Sequence, residues 1–221
     1  MPSSSTYKKP AISSSVIKRL PRYRRFLRDL RADGITRISS KDLARRMNLT
    51  ASQIRQDLNC FGGFGLQGYG YNVDDLYREI GAILGLDKCR PTILLGAGNL
   101  GMAIARQLDF KSIGFDLIGI FDKAPEIIGR EIRDLTVTDV AELKEFCEAN
   151  RPEAAILCIP SSQVTDLADM LVEFGVKGFW NFSHCDLVHR YDNIAVESVH
   201  LSDSLMTLSY HLTDQPKPAK K

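Results

Sequence analysis

Residues 93–101 read ILLGAGNLG, an apolar run leading into Gly96, Gly98 and Gly101 at the spacing Gly-x-Gly-x-x-Gly. Between a strand and a helix that spacing has a physical meaning. Gly96 permits a tight turn, Gly98 lets backbone N–H groups approach a pyrophosphate, and Gly101 lets the helix lie close to its strand. The surrounding chain supplies the context. TILLG reads as a strand and NLGMAIARQL as a helix, then DLIGIFD as a strand and VTDVAELKEFCEAN as a helix. AAILCIP follows as a strand and SSQVTDLADMLVEFG as a helix, with VKGFWNF and NIAV as the last strands. Such alternation predicts a doubly wound parallel sheet of the Rossmann type. Asp122 ends the second strand, where a carboxylate accepts ribose hydroxyls and repels a 2′-phosphate, so NAD(H) is expected over NADP(H). Lys123 beside it weakens that preference slightly. Asn99 and Leu100 in the glycine loop, and Ile159, Pro160, Asn181 and Phe182 at two later strand ends, complete the expected cofactor pocket. A nucleotide-free scaffold or an S-adenosylmethionine site is the alternative.

A dehydrogenase built on this pocket needs a substrate region and a proton-transfer group beside the nicotinamide. After the Rossmann pattern only one more helix remains. His184 and His189 are candidates for acid–base work, but hydrogen bonding near a strand end is the simpler role for each. The reading is therefore not an enzyme. The alternative is a small NAD-dependent dehydrogenase with a basic interaction segment.

Charge divides the 221 residues unevenly. Residues 1–60 hold 14 Lys and Arg against 4 Asp and Glu, while the rest hold 15 against 23, so a net charge of +2 hides +10 and −8. A basic block of that size points to nucleic acid. No apolar run reaches the roughly 18 residues of a membrane span. The N-terminal MPSSSTYKKPAISSS has no signal-peptide core, so a cytoplasmic location without membrane contact is expected. The five cysteines, Cys60, Cys89, Cys147, Cys158 and Cys185, show no paired spacing. His184, Cys185 and His189 lack a fourth ligand, and no metal is expected.

Within the basic block, VIKRLPRYRRFLRDLRA places Ile17, Leu20, Tyr23, Leu27 and Leu30 at helical spacing. Pro21 belongs at a first turn or marks a kink. SSKDLARRM carries a capping box from Ser39 to Asp42, with Leu43, Ala44 and Met47 inward. A second cap, Thr50 with Gln53, opens TASQIRQDLNCF, whose apolar members are Ile54, Leu58 and Phe61. Two capped helices about a short turn predict a helix-turn-helix. The second exposes Ser52, Gln53, Arg55, Gln56 and Asn59, residue types that read base edges. FGGFGLQGYGY is costly as a helix and suits a β-ribbon, the wing of a winged helix. Asn72 caps a further helix over VDDLYREIGAILG with Leu76, Ile80, Ile83 and Leu84 as its stripe. The linker is LDKCRP.

These motifs closely resemble the Rex family of bacterial redox-sensing transcriptional repressors over about residues 15–212. The resemblance rests on KRLPRYRRFL, SSKDLARRM, SQIRQDLNCFGGFGLQGYGYNV, LLGAGNLG, IFDKAPEIIG and FGVKGFWNF. It implies disordered tails over 1–14 and 214–221, a winged-helix domain over 15–87, a Rossmann NAD(H) domain over 88–200, and a helix over 201–213 exchanged in a homodimer. It implies NADH and NAD+ as sensed ligands, and NADH-driven release from pseudo-palindromic operator DNA of fermentation and respiration genes. Arg22 and Arg46 on the helices, with Gln67 and Tyr69 on the wing, are the remaining candidate DNA contacts. Two departures stand out. A family Tyr and Asp near the nicotinamide fall at Gln107 and His200, whereas the Arg with which that Asp pairs is retained as Arg25. The wing carries Leu66 and Gln67 where the family often has basic residues.

Overall fold

The computed structural model describes residues 12–62 and 69–213. Most of the two expected tails and of the glycine-rich ribbon, Leu66 and Gln67 included, lie outside the described residues. The chain divides into two compact units, one up to Asp87 and one from Lys88.

In the first unit α1 spans Ser14–Ala32 and buries Val16, Leu20, Tyr23, Leu27 and Leu30. Spacings of four and three keep those five side chains on one stripe. Ile17, expected inside, falls one position off the stripe and is 46% exposed, with Val16 in its place. Pro21 sits in the helix interior rather than its first turn. β1 (Arg37–Ile38), α2 (Ser40–Met47) and α3 (Ala51–Asn59) follow. Both expected caps form: Ser39 accepts from the Asp42 N–H and Thr50 from the Gln53 N–H. Asn48 takes a left-handed conformation at the end of α2 (φ 53°), which lets the chain turn directly into α3. β2 (Tyr71–Asn72) pairs antiparallel with β1. Gly70 just before it has φ 69°, and a Cβ there would meet the Ile38 carbonyl oxygen at 2.6 Å. α4 (Val73–Ile83) starts on the Asn72 cap. Tyr77 of α4 lies between the guanidinium groups of Arg24 and Arg31, 4.4 and 4.5 Å from its ring centre, tying α4 to α1. Leu20, Tyr23, Leu27, Leu43, Met47, Ile54, Leu58, Leu76 and Ile80 form one core beneath α2 and α3.

The second unit is built on β3 (Arg90–Leu95), α5 (Asn99–Gln107), β4 (Phe115–Asp122), β5 (Glu131–Ile132) and β6 (Leu135–Asp139). After these come α6 (Leu143–Asn150), β7 (Ala154–Leu157), α7 (Ser161–Glu173), β8 (Gly178–Asn181), β9 (Ala195–Ser198) and α8 (Leu201–Thr213). The sheet order is β5-β6-β4-β3-β7-β8-β9, parallel except for the β5–β6 hairpin at one edge. From β6 to β9 this is the doubly wound order, reversing between β3 and β7. Ile93, Leu95, Ala155, Leu157 and Phe179 face α6 and α7 on one side. Leu94, Ile120 and Ile156 pack with Ala105 of α5 on the other.

Two sequence expectations change here. The stretch expected to open a helix at Val137 is instead the end of β6, paired with β4, and α6 begins only at Leu143. β-Branched Val137 and Thr138 fit a pleated sheet, and the Asp139 side chain caps the short turn beyond them. The last strand lies two residues later than the NIAV reading. In α8 the expected stripe Leu201, Leu205, Leu208 and Leu212 is present, yet each is at least half exposed. Met206 and Tyr210, on other faces, are equally bare.

Candidate nucleic-acid interface and nucleotide cleft

α3 is held from behind by one buried carboxylate. Asp57 has no solvent exposure, and Arg19 of α1 donates to both its oxygens at 2.6 and 2.8 Å. The Tyr23 hydroxyl donates at 2.6 Å and the Gln53 amide nitrogen at 2.8 Å. Burial alone raises the Asp57 carboxyl, but the hydrogen bonds from Arg19, Tyr23 and Gln53 outweigh it and hold it below the ordinary carboxylate range. Burial, reinforced by the same carboxylate, pushes the Tyr23 phenol above its ordinary value. Sequence reading missed this role for Asp57, because its partners lie 38 and 34 positions away.

The outward face of α3 carries Ser52, Arg55, Gln56 and Asn59, all exposed, while Gln53 is half-buried. Arg55 donates to the Ser40 hydroxyl at 3.1 Å, which leans it along α2. Arg46 and Tyr69 are exposed and line one cleft with Arg37. Arg22 is exposed on α1. It donates to the Met47 carbonyl at 2.6 Å, closing the C-terminal end of α2, so part of its hydrogen-bonding capacity serves the fold. Gln67 lies outside the described residues.

In the second unit the C-terminal ends of β3, β4 and β7 open on a cleft of about 200 Å³. Gly96, Gly98, Asp122, Lys123, Ile159 and Pro160 line it, as do Val140, Cys158, Gln163 and Leu167. Gly96 is left-handed at φ 92°, and a Cβ there would overlap the Cys158 carbonyl. A Cβ at Gly101 would overlap the Gly96 carbonyl oxygen, whereas one at Gly98 would meet nothing within 4 Å. α5 and α7 both begin at this edge without a side-chain cap or an acidic residue in the first turn. Their free N–H groups, including those of Asn99 and Leu100, make the edge electropositive and suited to a pyrophosphate. Asp122 accepts from the Ala97 N–H at 2.6 Å through one oxygen, and from the Lys123 and Ala124 N–H groups through the other. It thereby fixes the glycine loop as well as facing the cleft. Burial pushes the Cys158 thiol up to about 12, so it lines the cleft as a neutral group.

Val140, Gln163 and Leu167 were not singled out from the sequence. Val140 was hidden by reading the end of β6 as helix. Gln163 and Leu167 were open to discovery as the first inward positions of a helix starting at the same edge. Asn181 and Phe182 are not brought into the cleft. Asn181 is fully buried, donating to the Cys185 carbonyl and accepting from the Ser183 N–H and hydroxyl. Phe182 packs edge-on against Trp180 at 4.6 Å. Gln107 ends α5 exposed, and Arg25 is exposed on α1. The His200 ring stacks on His184 at 5.8 Å with 7° between planes, just beyond the ends of β9 and β8. Among the described residues no three His, Cys, Asp or Glu side chains are placed to share a metal, and no helix is long and apolar enough to cross a membrane.

Comparison with known proteins agrees with both halves. Residues 11–59 match a family model described as a DNA-binding protein N-terminus, and residues 87–185 match a CoA binding domain. The redox-sensing transcriptional repressor Rex of Caldanaerobacter subterraneus subsp. tengcongensis is 54% identical over 208 residues, covering 94% of this chain and 92% of that protein. Rex of Clostridium perfringens is 52% identical over 205 residues, with 93% and 96% covered. A crystal structure of RSP with β-NAD+ and operator DNA superposes with a TM-score of 0.85 at 51% identity, covering 92% of this chain and 94% of that one. RSP with β-NADH superposes at 0.84 and 49% identity, with 92% and 95% covered. These relatives are repressors rather than enzymes. With a helix-turn-helix and a doubly wound nucleotide fold in the same order, and about half of all residues shared, the chain belongs to the Rex family of redox-sensing transcriptional repressors.

Proposed function

We propose that the chain is a cytoplasmic, dimeric repressor whose α3 reads operator DNA and whose cleft takes NADH or NAD+ as a sensed ligand. One observation carries the reading. A helix-turn-helix with a polar outer face and a cleft ringed by uncapped helix ends share a chain whose relatives were solved with NAD+ and operator DNA. Ser52, Gln53, Arg55, Gln56 and Asn59 meet base edges, while Arg46 and Tyr69 contact phosphates. Asp122 receives the adenosine ribose, the N–H groups at Gly98 to Gly101 receive the pyrophosphate, and Val140, Ile159, Pro160 and Leu167 flank the adenine. The bare leucine stripe of α8 supports its exchange with a second copy, and a two-fold dimer requires a pseudo-palindromic site.

Ligand and operator are coupled only if NADH binds the released arrangement more tightly than the DNA-bound one. Gel retardation on the chain's own upstream DNA, titrated with NADH at fixed NAD+, tests this. Release by NADH is expected, and equal retardation at every ratio refutes it. Asp122→Ala is expected to keep DNA binding and lose release, since it removes both the ribose acceptor and the tether of the Ala97 N–H. Base reading has its own test. Arg55→Ala is expected to lose about 1–3 kcal/mol of discrimination at one base pair, whereas Arg46→Ala weakens all sequences alike. An unchanged ratio of specific to random DNA affinity for Arg55→Ala would remove α3 from the interface.

A further inference from the structure

We propose that Asp57 is a positioning residue for base reading: it holds the Gln53 amide with nitrogen inward and carbonyl oxygen outward, so that residue 53 selects a base edge bearing an amino group. The inference rests on α3 reading DNA and deepens it. A glutamine amide free in solution can turn over and offer either end, which makes it a permissive reader. Gln53 is not free. Its nitrogen lies 2.8 Å from an Asp57 oxygen, and an ionised carboxylate only accepts hydrogen bonds. The reverse orientation would set the amide oxygen against that anion. Asp57 is kept anionic by the paired bonds from Arg19 and held still by Tyr23. The carboxylate is one turn along the same helix and fully buried, while Gln53 itself is half exposed. One N–H of the amide is spent on Asp57, so the oxygen turns outward as an acceptor, with at most the second N–H beside it. In the major groove, adenine N6 and cytosine N4 donate to such an acceptor, whereas guanine O6 and thymine O4 are themselves acceptors and repel it. Arg19, on a helix that need not touch the bases, thus acts on sequence preference through Asp57, while Tyr23 steadies the carboxylate.

The test is a pool of randomised duplexes bound by the full chain and sequenced. In the wild type one position per half-site is expected to favour adenine or cytosine over guanine and thymine by about tenfold. Asp57→Asn, which offers both donor and acceptor to the amide, is expected to admit guanine there and leave other positions unchanged. Tyr23→Phe removes a bond to the same carboxylate without touching Gln53, so it is expected to lower stability and keep the preference. Gln53→Ala removes the amide head and leaves the bonds of Asp57 to Arg19 and Tyr23 in place. It is expected to lose the preference at that position alone. Retention of the full preference in Asp57→Asn, equal loss in Tyr23→Phe, or an unchanged preference in Gln53→Ala overturns the proposal. A wild type with no sequence preference at all overturns the reading of α3 and this inference together.

Discussion

Asp57→Ala is expected to destabilise the first unit by about 3 kcal/mol, among the largest single-site losses in the chain. Removing one member of a buried ion pair generally costs about 3–5 kcal/mol. The lower end applies because Arg19 retains 27% side-chain exposure and can turn to water. Tyr23 cannot, being fully buried with its hydroxyl left unpaired. The acid dependence has a definite sign. The folded Asp57 carboxyl titrates below its unfolded value of about 3.9. Its contribution is therefore complete above that pH and lost as pH falls through the folded value. Urea unfolding of both proteins at neutral pH and at about pH 3 checks both parts: the gap is expected to narrow in acid. A difference that stays constant, or an alanine variant as stable as wild type, contradicts the account.

The same substitution three residues apart is expected to give opposite results in the glycine loop. At position 98 a valine finds open space and a φ of −66° that any residue adopts, so the second unit folds normally. The new side chain stands where a pyrophosphate approaches the α5 N-terminus. Losing one or two charge-assisted hydrogen bonds, each about 1.5–3 kcal/mol, weakens NADH by about a hundredfold. At position 101 the added atoms collide with the Gly96 carbonyl and press on Leu94. α5 must then lift from β3, and the unit is expected to melt early or fail to fold. Calorimetric NADH titration with thermal melting distinguishes the two. Tight NADH binding by Gly98→Val, or a wild-type melt for Gly101→Val, refutes the assigned roles.

What the sequence made legible was whatever is encoded locally. The three glycines, the caps at Ser39, Thr50 and Asn72, and the polar face of α3 each depend on neighbours within a few positions, and all are found in the structure. What stayed hidden depends on distant partners. A carboxylate between Ile54 and Leu58 reads as a surface residue until Arg19 and Tyr23 fold against it. The stacking of His184 on His200 is set by the lateral pairing of β8 with β9. Asn181 looked like a strand-end ligand, but its amide is consumed by the loop that follows. Between Val137 and Asp139 two local signals conflicted. The β-branched pair favoured a strand and the acidic cap a helix, and pairing with β4 decided for the strand.

α8 places its thirteen residues, six of them large and apolar, almost wholly in water. A helix of that length is marginal on its own, so its persistence requires a second surface to cover it. On the proposed exchange with a second copy, folding of this segment is a second-order event, governed by mass action. A chain newly released from the ribosome completes its last helix only after an encounter, and a diluted stock loses it first. Cellular abundance becomes a thermodynamic variable of the fold itself.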